Sequence, residues 1–115
     1  MSSPLVSIVL PCYNAHEYLG EAIESARTQT HENVEILIVN DGSTEQETRN
    51  FLSTVGPDIR VVHQENKGLP AARNRAFREA KGDFILPLDC DDWLEPEAVT
   101  HLLEIQQASE FPTFA

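Results

Sequence analysis

The fold is decided by the stretch VSIVL, residues Val6–Leu10, which is apolar and rich in β-branched residues. It has almost no polar face, so the strand that it forms must be covered on both sides. Such strands are typical of a parallel α/β sheet, in which helices lie over both faces. Pro11 then ends the strand, and Asn14 is a candidate N-cap for the helix that follows.

Beyond this strand, an alternation of strand and helix continues along the chain. We predict strands at Val34–Asn40, Ile59–His63 and Phe84–Leu88, and helices at His16–Gln29, Thr44–Val55, Pro70–Ala80 and Pro96–Ala108. The third strand is short and more polar, so we expect it at an edge, and we expect the fourth to be buried. With right-handed crossovers, this order predicts a single α/β domain over residues 1–115, with a three-layer α/β/α, Rossmann-like, mostly parallel sheet.

The sequence also predicts how the helices are capped and packed. Thr44 and Glu47 have the spacing of a capping box. The apolar stripes are predicted to contain Tyr18, Leu19, Ala22, Ile23 and Ala26 in the first helix, and Val99, Leu102, Leu103 and Ile105 in the last. Trp93 either lines a cleft or packs beneath the last helix, and we favour packing.

Composition restricts the function. The 115 residues carry 8 Lys and Arg against 19 Asp and Glu, a net charge of −11, so nucleic acid and anionic membrane surfaces are unfavourable partners. No apolar run approaches the roughly 18 residues of a membrane span, and the start of the chain lacks the pattern of a signal peptide. We therefore expect a cytoplasmic protein. The G-x-G-x-x-G fingerprint is absent, so nothing supports NAD binding.

The two cysteines, Cys12 and Cys90, each follow a predicted strand. They indicate neither a disulfide framework nor a zinc site, and we expect two reduced thiols that could lie near each other. The four histidines show no metal-ligand spacing, and we expect each to be structural or exposed. They are His16, His31, His63 and His101.

Three carboxylates follow the fourth strand within four residues: Asp89, Asp91 and Asp92. Carboxylates this close repel one another unless a cation lies among them. If the backbone is extended there, Asp89 and Asp91 point to the same side. Two carboxylates beside a cleft are typical ligands of Mg²⁺ or Mn²⁺. The alternative is an acidic turn that only solubilises the end of the strand.

Ligands of parallel α/β sheets bind at the carboxyl ends of the strands, where further candidate site residues occur. They are Pro11, Tyr13 and Asn14 after the first strand, Asp41 after the second, Lys67, Gly68 and Arg73 after the third, and Asp89 and Asp91 after the fourth. An aromatic ring, a guanidinium and a carboxylate pair suit a nucleoside diphosphate with a metal on its phosphates. Three alternatives remain open: Tyr13 as a cover for the sheet end, Asp41 as a turn residue and Arg73 as a solvated charge.

Four motifs occur in order along the chain: Val6–Asn14, Val39–Thr44, Asn66–Asn74 and Leu88–Asp92. Together they resemble the nucleotide-sugar half of family 2 glycosyltransferases, which are inverting enzymes of the GT-A fold. The resemblance covers nearly the whole chain. It implies transfer of a sugar from a nucleotide-sugar, by family habit a UDP-sugar, to an acceptor hydroxyl, as in the synthesis of cell-envelope polysaccharides.

The resemblance also implies roles for individual residues. Pro11 and Tyr13 would hold the base, with Asp41 hydrogen-bonded to its edge. Arg73 would help to fix the nucleotide. Asp89 would approach the ribose or diphosphate, and Asp91 would bind Mg²⁺ or Mn²⁺ directly. The charge of that metal would offset the charge that builds on the departing diphosphate.

The chain differs from the family in length. In family members a second half supplies the acceptor site and the carboxylate general base, and nothing after Glu104 resembles it. We therefore expect a truncated domain, either an excised portion or a short protein, that binds the donor and transfers little or no sugar. The acceptor, a glycan or a lipid, is not indicated. Apolar surface left on the last helix would favour a homo-oligomer, and a longer form would lie at the inner face of the membrane.

Two other classes of function fit parts of the pattern. One is a non-catalytic nucleotide-binding module that retains the site. The other is a phosphatase of the haloacid-dehalogenase type, in which the first Asp of Asp-x-Asp, here Asp89, is a nucleophile. That motif normally follows the first strand, with Thr or Val two residues after the second Asp. Here the motif follows the fourth strand, and the corresponding residue is Trp93.

Overall fold

The computed structural model describes residues 3–108 of the chain. Four strands alternate with four helices. The strands are β1 (Val6–Cys12), β2 (Val34–Asp41), β3 (Ile59–Gln64) and β4 (Phe84–Pro87), and the helices are α1 (His16–Arg27), α2 (Gln46–Ser53), α3 (Leu69–Glu79) and α4 (Ala98–Ala108). The predicted order of elements is confirmed, and no helix in the described part of the chain is long and apolar enough to cross a membrane.

The four strands form one parallel sheet in the order β3-β2-β1-β4. Val6 of β1 is in register with Val34 of β2 on one side and with Phe84 of β4 on the other. Every residue of β1 is buried. The stretch that predicted a strand covered on both faces is therefore the interior strand next to β4.

Two apolar clusters cover the two faces of the sheet. On one face, alternate residues of β1 pack with α1, α2 and α4. On the other, Val9 packs with Leu37 and Val39 of β2 and with two alanines of α3, Ala72 and Ala76. Small residues on α3 let this helix approach the sheet closely. The α/β/α layering is thus confirmed.

The edges of the sheet differ in part from the prediction. β3 lies at an edge, as expected. The fourth strand was expected to be buried, and this is wrong for Phe84–Pro87, whose residues are only half-buried. The reason is that β4 pairs with β1 alone among the described strands. Only Leu88, just past the strand, is fully buried.

The predicted helix caps are also corrected. Helix α1 has Ala15 at its N-cap position, and α2 has Glu45, so neither Asn14 nor the Thr44 capping box begins a helix as predicted. Asn14 instead stabilises the backbone just before α2. Its Oδ1 accepts hydrogen bonds from the backbone N–H groups of Thr44 (2.9 Å) and Glu45 (3.0 Å). The turn after β1 is thereby tied to the start of α2.

Three apolar side chains that were expected to pack are exposed: Tyr18, Trp93 and Ile105. Helix α4 is buried through Val99 and Leu103, and Ile105 lies two residues on, which turns it away from that face. Trp93 belongs to the loop between β4 and α4, and more than half of its surface is exposed, so it is not packed into the core. Tyr18 borders the hollow described next.

Candidate functional site

A hollow of about 460 Å³ opens at the carboxyl end of the sheet, a size within the range of small-molecule sites. It is lined by Pro11, Tyr13, Asn14, Ala15, Tyr18, Leu69, Arg73, Asp89, Cys90 and Asp91. The lining comes from the β1–α1 connection, the start of α3 and the loop after β4. The predicted convergence at this edge is therefore found for Pro11, Tyr13, Asn14, Arg73, Asp89 and Asp91, and it is not found for Asp41 or Gly68.

The β1–α1 turn is held in place by Asn14. Its φ of 49° lies in the left-handed region, which Asn tolerates better than most residues. Its backbone N–H donates to Ser43 Oγ at 3.0 Å, and its side-chain amide donates to Thr44 Oγ1 at 3.1 Å. Asn14 therefore fixes the backbone beside Tyr13, while its own side chain is engaged by the β2–α2 loop.

Asp41 is buried and fully engaged inside the protein, with 1% of its surface exposed. Its carboxylate accepts hydrogen bonds from the backbone N–H groups of Lys67 and Gly68, both at 2.9 Å. The side chains of Gln64 (2.9 Å) and Asn66 (3.4 Å) donate to it as well. The hydrogen bond from Asp41 to a base edge therefore stays a prediction. In this structure Asp41 holds the β3–α3 loop, since its position at the end of β2 lies opposite Gln64 of β3.

The same loop explains Gly68 and the glycine that follows Asp41. Gly68 occupies the N-cap position of α3 with a φ of 97°, and its N–H donates to Asp41 rather than facing the hollow. Gly42 has a φ of 71°, and a Cβ at this position would lie 2.6 Å from the backbone nitrogen of Asn66. The end of β2 and the β3–α3 loop thus form one closely packed unit behind the site.

Helix α3 brings one cation to the hollow. Leu69 and Arg73 are four residues apart, so they lie on one face of the helix, and both line the hollow. Arg73 Nη2 lies 3.8 Å from Asp89 Oδ1. The side chains of Arg73 and Asp89 are 41% and 69% exposed, so this ion pair contributes little to stability and both groups are accessible to a ligand.

The acidic run forms a turn, not an extended strand. The backbone N–H of Asp92 donates to the carbonyl of Asp89 at 3.0 Å, so the premise that residues 89–91 continue the strand is wrong. Asp89 and Asp91 nevertheless both line the hollow. Asp92 does not, and its Oδ1 accepts the N–H of Trp93. Across the described residues, no group of three or more His, Cys, Asp or Glu side chains could hold a metal ion.

The two cysteines are free, as expected, and they lie close to each other. Cys12 is buried, and Cys90 is half-buried at the edge of the same apolar cluster. The hydrogen bond with Cys90, together with burial, raises the pKa of the Cys12 thiol, whereas the pKa of Cys90 is lowered by this hydrogen bond. Cys12 is therefore a buried, neutral thiol next to Cys90.

The histidines have structural or exposed positions, as predicted. His16 pairs with Glu45 at 3.2 Å, His31 bonds the carbonyl of Pro4 at 2.8 Å, and His63 bonds Asn40 at 3.1 Å. His101 is exposed. None of them lines the hollow.

Sequence reasoning missed two prominent residues of the lining, Tyr18 and Leu69. The signal for Leu69 was its helical spacing from Arg73, which places both on one face. The signal for Tyr18 was its position in the first turn of α1, directly after the strand end where ligands bind. Its assignment to the apolar stripe of the first helix predicted burial instead, so its position in the lining of the hollow was missed.

Comparison with known proteins defines the class. Residues 7–111 match the family profile of Glycosyl transferase family 2, and the chain belongs to this family. EpsH of Bacillus subtilis (strain 168), which carries a glycosyltransferase name, is 40% identical over 105 residues, or 90% of this chain and 30% of EpsH. A chondroitin synthase of Escherichia coli is 42% identical over 103 residues, or 88% of this chain and 15% of the synthase. The chain thus spans less than a third of these relatives.

Solved glycosyltransferase structures share the fold. Residues 1–349 of S. aureus TarS in complex with UDP-GlcNAc superpose with a TM-score of 0.80 at 28% identity, over 90% of this chain and 31% of that one. The mannosyltransferase PcManGT from Pyrobaculum calidifontis, in complex with GDP-Man and Mn²⁺, gives 0.79 at 24% identity, over 95% and 34%. At 24% identity, the similarity to PcManGT shows a shared fold and nothing more. The predicted GT-A, Rossmann-like architecture is confirmed.

Proposed function

We propose that this chain is the donor-binding part of an inverting, metal-dependent glycosyltransferase that takes its sugar from a nucleotide-sugar, with UDP as the expected nucleotide. The observation that carries the proposal is the hollow, where Tyr13, Arg73 and the carboxylates of Asp89 and Asp91 surround one volume. The names of the relatives support the class of reaction. TarS, at 28% identity, was solved with UDP-GlcNAc, which supports the class of donor.

In this proposal the base lies against Pro11 and Tyr13, and Arg73 holds the diphosphate. A guanidinium suits this role because its planar set of donors matches two phosphate oxygens. Arg73 is held only at 3.8 Å by an exposed partner, Asp89. A diphosphate would therefore displace a weak ion pair when it binds.

Asp91 and Asp89 are the residues that would hold Mg²⁺ or Mn²⁺. Their carboxylates are exposed hard oxygen donors beside the hollow, and two such ligands fit a metal that completes its coordination with phosphate oxygens and water. When bound, the metal supplies positive charge to the leaving diphosphate. Binding of a diphosphate is expected to require it, because two carboxylates and a net charge of −11 otherwise repel the ligand.

We assign no general base to this chain, because the two acidic side chains of the hollow belong to the metal and diphosphate in this proposal. The acceptor, a glycan or a lipid, and its site are likewise unassigned. We expect the 115 residues by themselves to bind the donor nucleotide and to transfer little or no sugar. A transfer assay with radiolabelled UDP-GlcNAc checks this, and efficient turnover by the isolated chain would contradict it.

Calorimetry tests the donor site. We expect UDP to bind in the presence of Mn²⁺ and to bind at least about tenfold more weakly when the metal is removed with a chelator. Asp91→Asn removes a metal ligand without changing side-chain shape, and we expect a loss of similar size. The matched control is Asp92→Asn, which removes the same charge one residue away from the lining and should leave the affinity unchanged.

Two results would count against the proposal. If the wild-type chain binds neither Mn²⁺ nor a nucleoside diphosphate, the hollow is not a donor site. If Asp91→Asn and Asp92→Asn weaken binding equally, the acidic run acts only through its net charge.

A further inference from the structure

Half of the large apolar side chains exposed in residues 3–108 border the same hollow. Tyr13, Tyr18 and Leu69 are 40%, 53% and 45% exposed, and all three line it. The others, Phe77, Trp93 and Ile105, lie outside this lining. Single exposed apolar residues need no explanation, but apolar groups gathered around a concave surface are typical of a binding site.

The hollow is lined by both apolar and charged side chains. On α3, Arg73 lies beside Asp89, and Leu69 lies one helical turn toward the N-terminus on the same face. Tyr13 and Tyr18 come from the β1–α1 connection and the first turn of α1. A nucleoside diphosphate carries groups of both kinds, a flat ring system at one end and the charged phosphates at the other.

We propose that Tyr18 and Leu69 contact the nucleoside end of the bound nucleotide, so that the ring is enclosed between them and Tyr13. This inference rests on the donor-binding function proposed above and names two residues that determine affinity for the nucleoside. Tyr18 supplies an aromatic face, which stacks on a base without requiring a particular base edge. Leu69 supplies an apolar contact from the same face of α3 as Arg73.

A purely structural role for Tyr18 does not account for its position. More than half of its surface is exposed, so its removal takes little apolar area out of the core. The buried face of α1 is formed by Leu19, Ala22, Ile23 and Ala26 without it. Truncation of Tyr18 should therefore leave the fold intact, and an effect on binding can be measured directly.

The test compares nucleotide with pyrophosphate in the full 115-residue chain, by calorimetry in Mn²⁺. For whichever of UDP and GDP binds the wild type more tightly, we expect Tyr18→Ala to weaken binding about tenfold and Tyr18→Phe to stay within about twofold of the wild type. Leu69→Ala should weaken nucleotide binding severalfold. Pyrophosphate, which lacks the nucleoside, should bind all of these variants as it binds the wild type. The control is Phe77→Ala on α3, which truncates a side chain that is 40% exposed and does not line the hollow.

The possible outcomes separate this inference from the function on which it rests. Nucleotide binding by the wild type that is unchanged in Tyr18→Ala overturns the inference and leaves the donor site standing. Equal losses for nucleotide and pyrophosphate overturn it too, because Tyr18 would then act on the phosphate end or on the fold. A wild-type chain that binds none of the three ligands overturns the donor site, and this inference with it.

Discussion

At the scale of single residues, Asp41 shows how a buried charge can organise a candidate site that it does not line. Its carboxylate accepts two backbone N–H groups and two side-chain amides from residues 64–68. Buried carboxylates are tolerated only when they are satisfied in this way. The loop so held leads directly into α3, and therefore sets where Leu69 and Arg73 begin to face the hollow.

Asp41→Asn is expected to destabilise the protein by about 1–3 kcal/mol. Asparagine has the same shape but only one acceptor oxygen, so its NH₂ group would face a backbone N–H that now lacks an acceptor. Urea unfolding followed by circular dichroism measures the change. The control is Asp92→Asn, an equal loss of charge at an exposed turn, which should alter stability by less than about 0.5 kcal/mol. Equal stabilities of the two variants would show that the hydrogen bonds accepted by the replaced carboxylate oxygen of Asp41 contribute nothing net.

At the scale of secondary-structure elements, the site depends on how closely the end of β2 meets the β3–α3 loop. Gly42 permits this contact, because its φ of 71° and the 2.6 Å approach of Asn66 leave no room for a side chain. Gly20 in α1 is different, since an added Cβ would meet only Phe51 ring atoms at 3.8 Å. The two glycines therefore form a matched pair for substitution.

Gly42→Ala is expected to destabilise the domain by about 1–3 kcal/mol, because alanine is strained at this φ and its Cβ would push the loop away. Gly20→Ala is expected to stabilise it by up to about 1 kcal/mol, since alanine favours the helix. Urea unfolding of both variants checks the signs. Destabilisation by both, or by neither, would contradict the assigned contacts.

For the molecule as a whole, the sequence predicted those features that depend on local patterns of apolar and polar residues. Apolar runs such as Val6–Leu10 determined the order of the elements and the parallel sheet, and the rule that ligands bind at the carboxyl ends of strands brought Tyr13, Arg73 and Asp91 to one edge. Pairing between distant segments was not encoded locally. The exposure of Phe84–Pro87 depends on which strand lies beside β4, and the burial of Asp41 depends on the path of a loop more than twenty residues later.

Two carboxylates, Asp58 and Glu79, form ion pairs that are expected to make the stability of the protein depend on pH. Asp58 accepts a hydrogen bond from Arg27 at 2.9 Å, which lowers the pKa of this carboxyl group. Glu79 is bonded by Arg75 at 3.1 Å and by Arg60, and these guanidinium groups lower the pKa of Glu79 in the same way. The Arg27–Asp58 pair links α1 to the loop before β3, and the Arg60–Glu79 pair links β3 to α3, whereas Arg75–Glu79 lies within α3.

We expect stability to be steady from about pH 7 to pH 5 and to fall as the pH drops below the ordinary carboxyl range, about 4. A carboxylate whose pKa is lower in the folded than in the unfolded chain stabilises the fold above its unfolded pKa, and this contribution is lost as the pH falls through the folded pKa. Urea midpoints measured from pH 7 to pH 3 check this. The protein concentration is kept low, because the chain carries little net charge near its pI of about 4.6. The variant Asp58→Asn/Glu79→Gln should be less stable than the wild type at pH 7 and should lose less stability on acidification. Parallel decline of the two proteins would mean that other carboxylates carry the acid sensitivity.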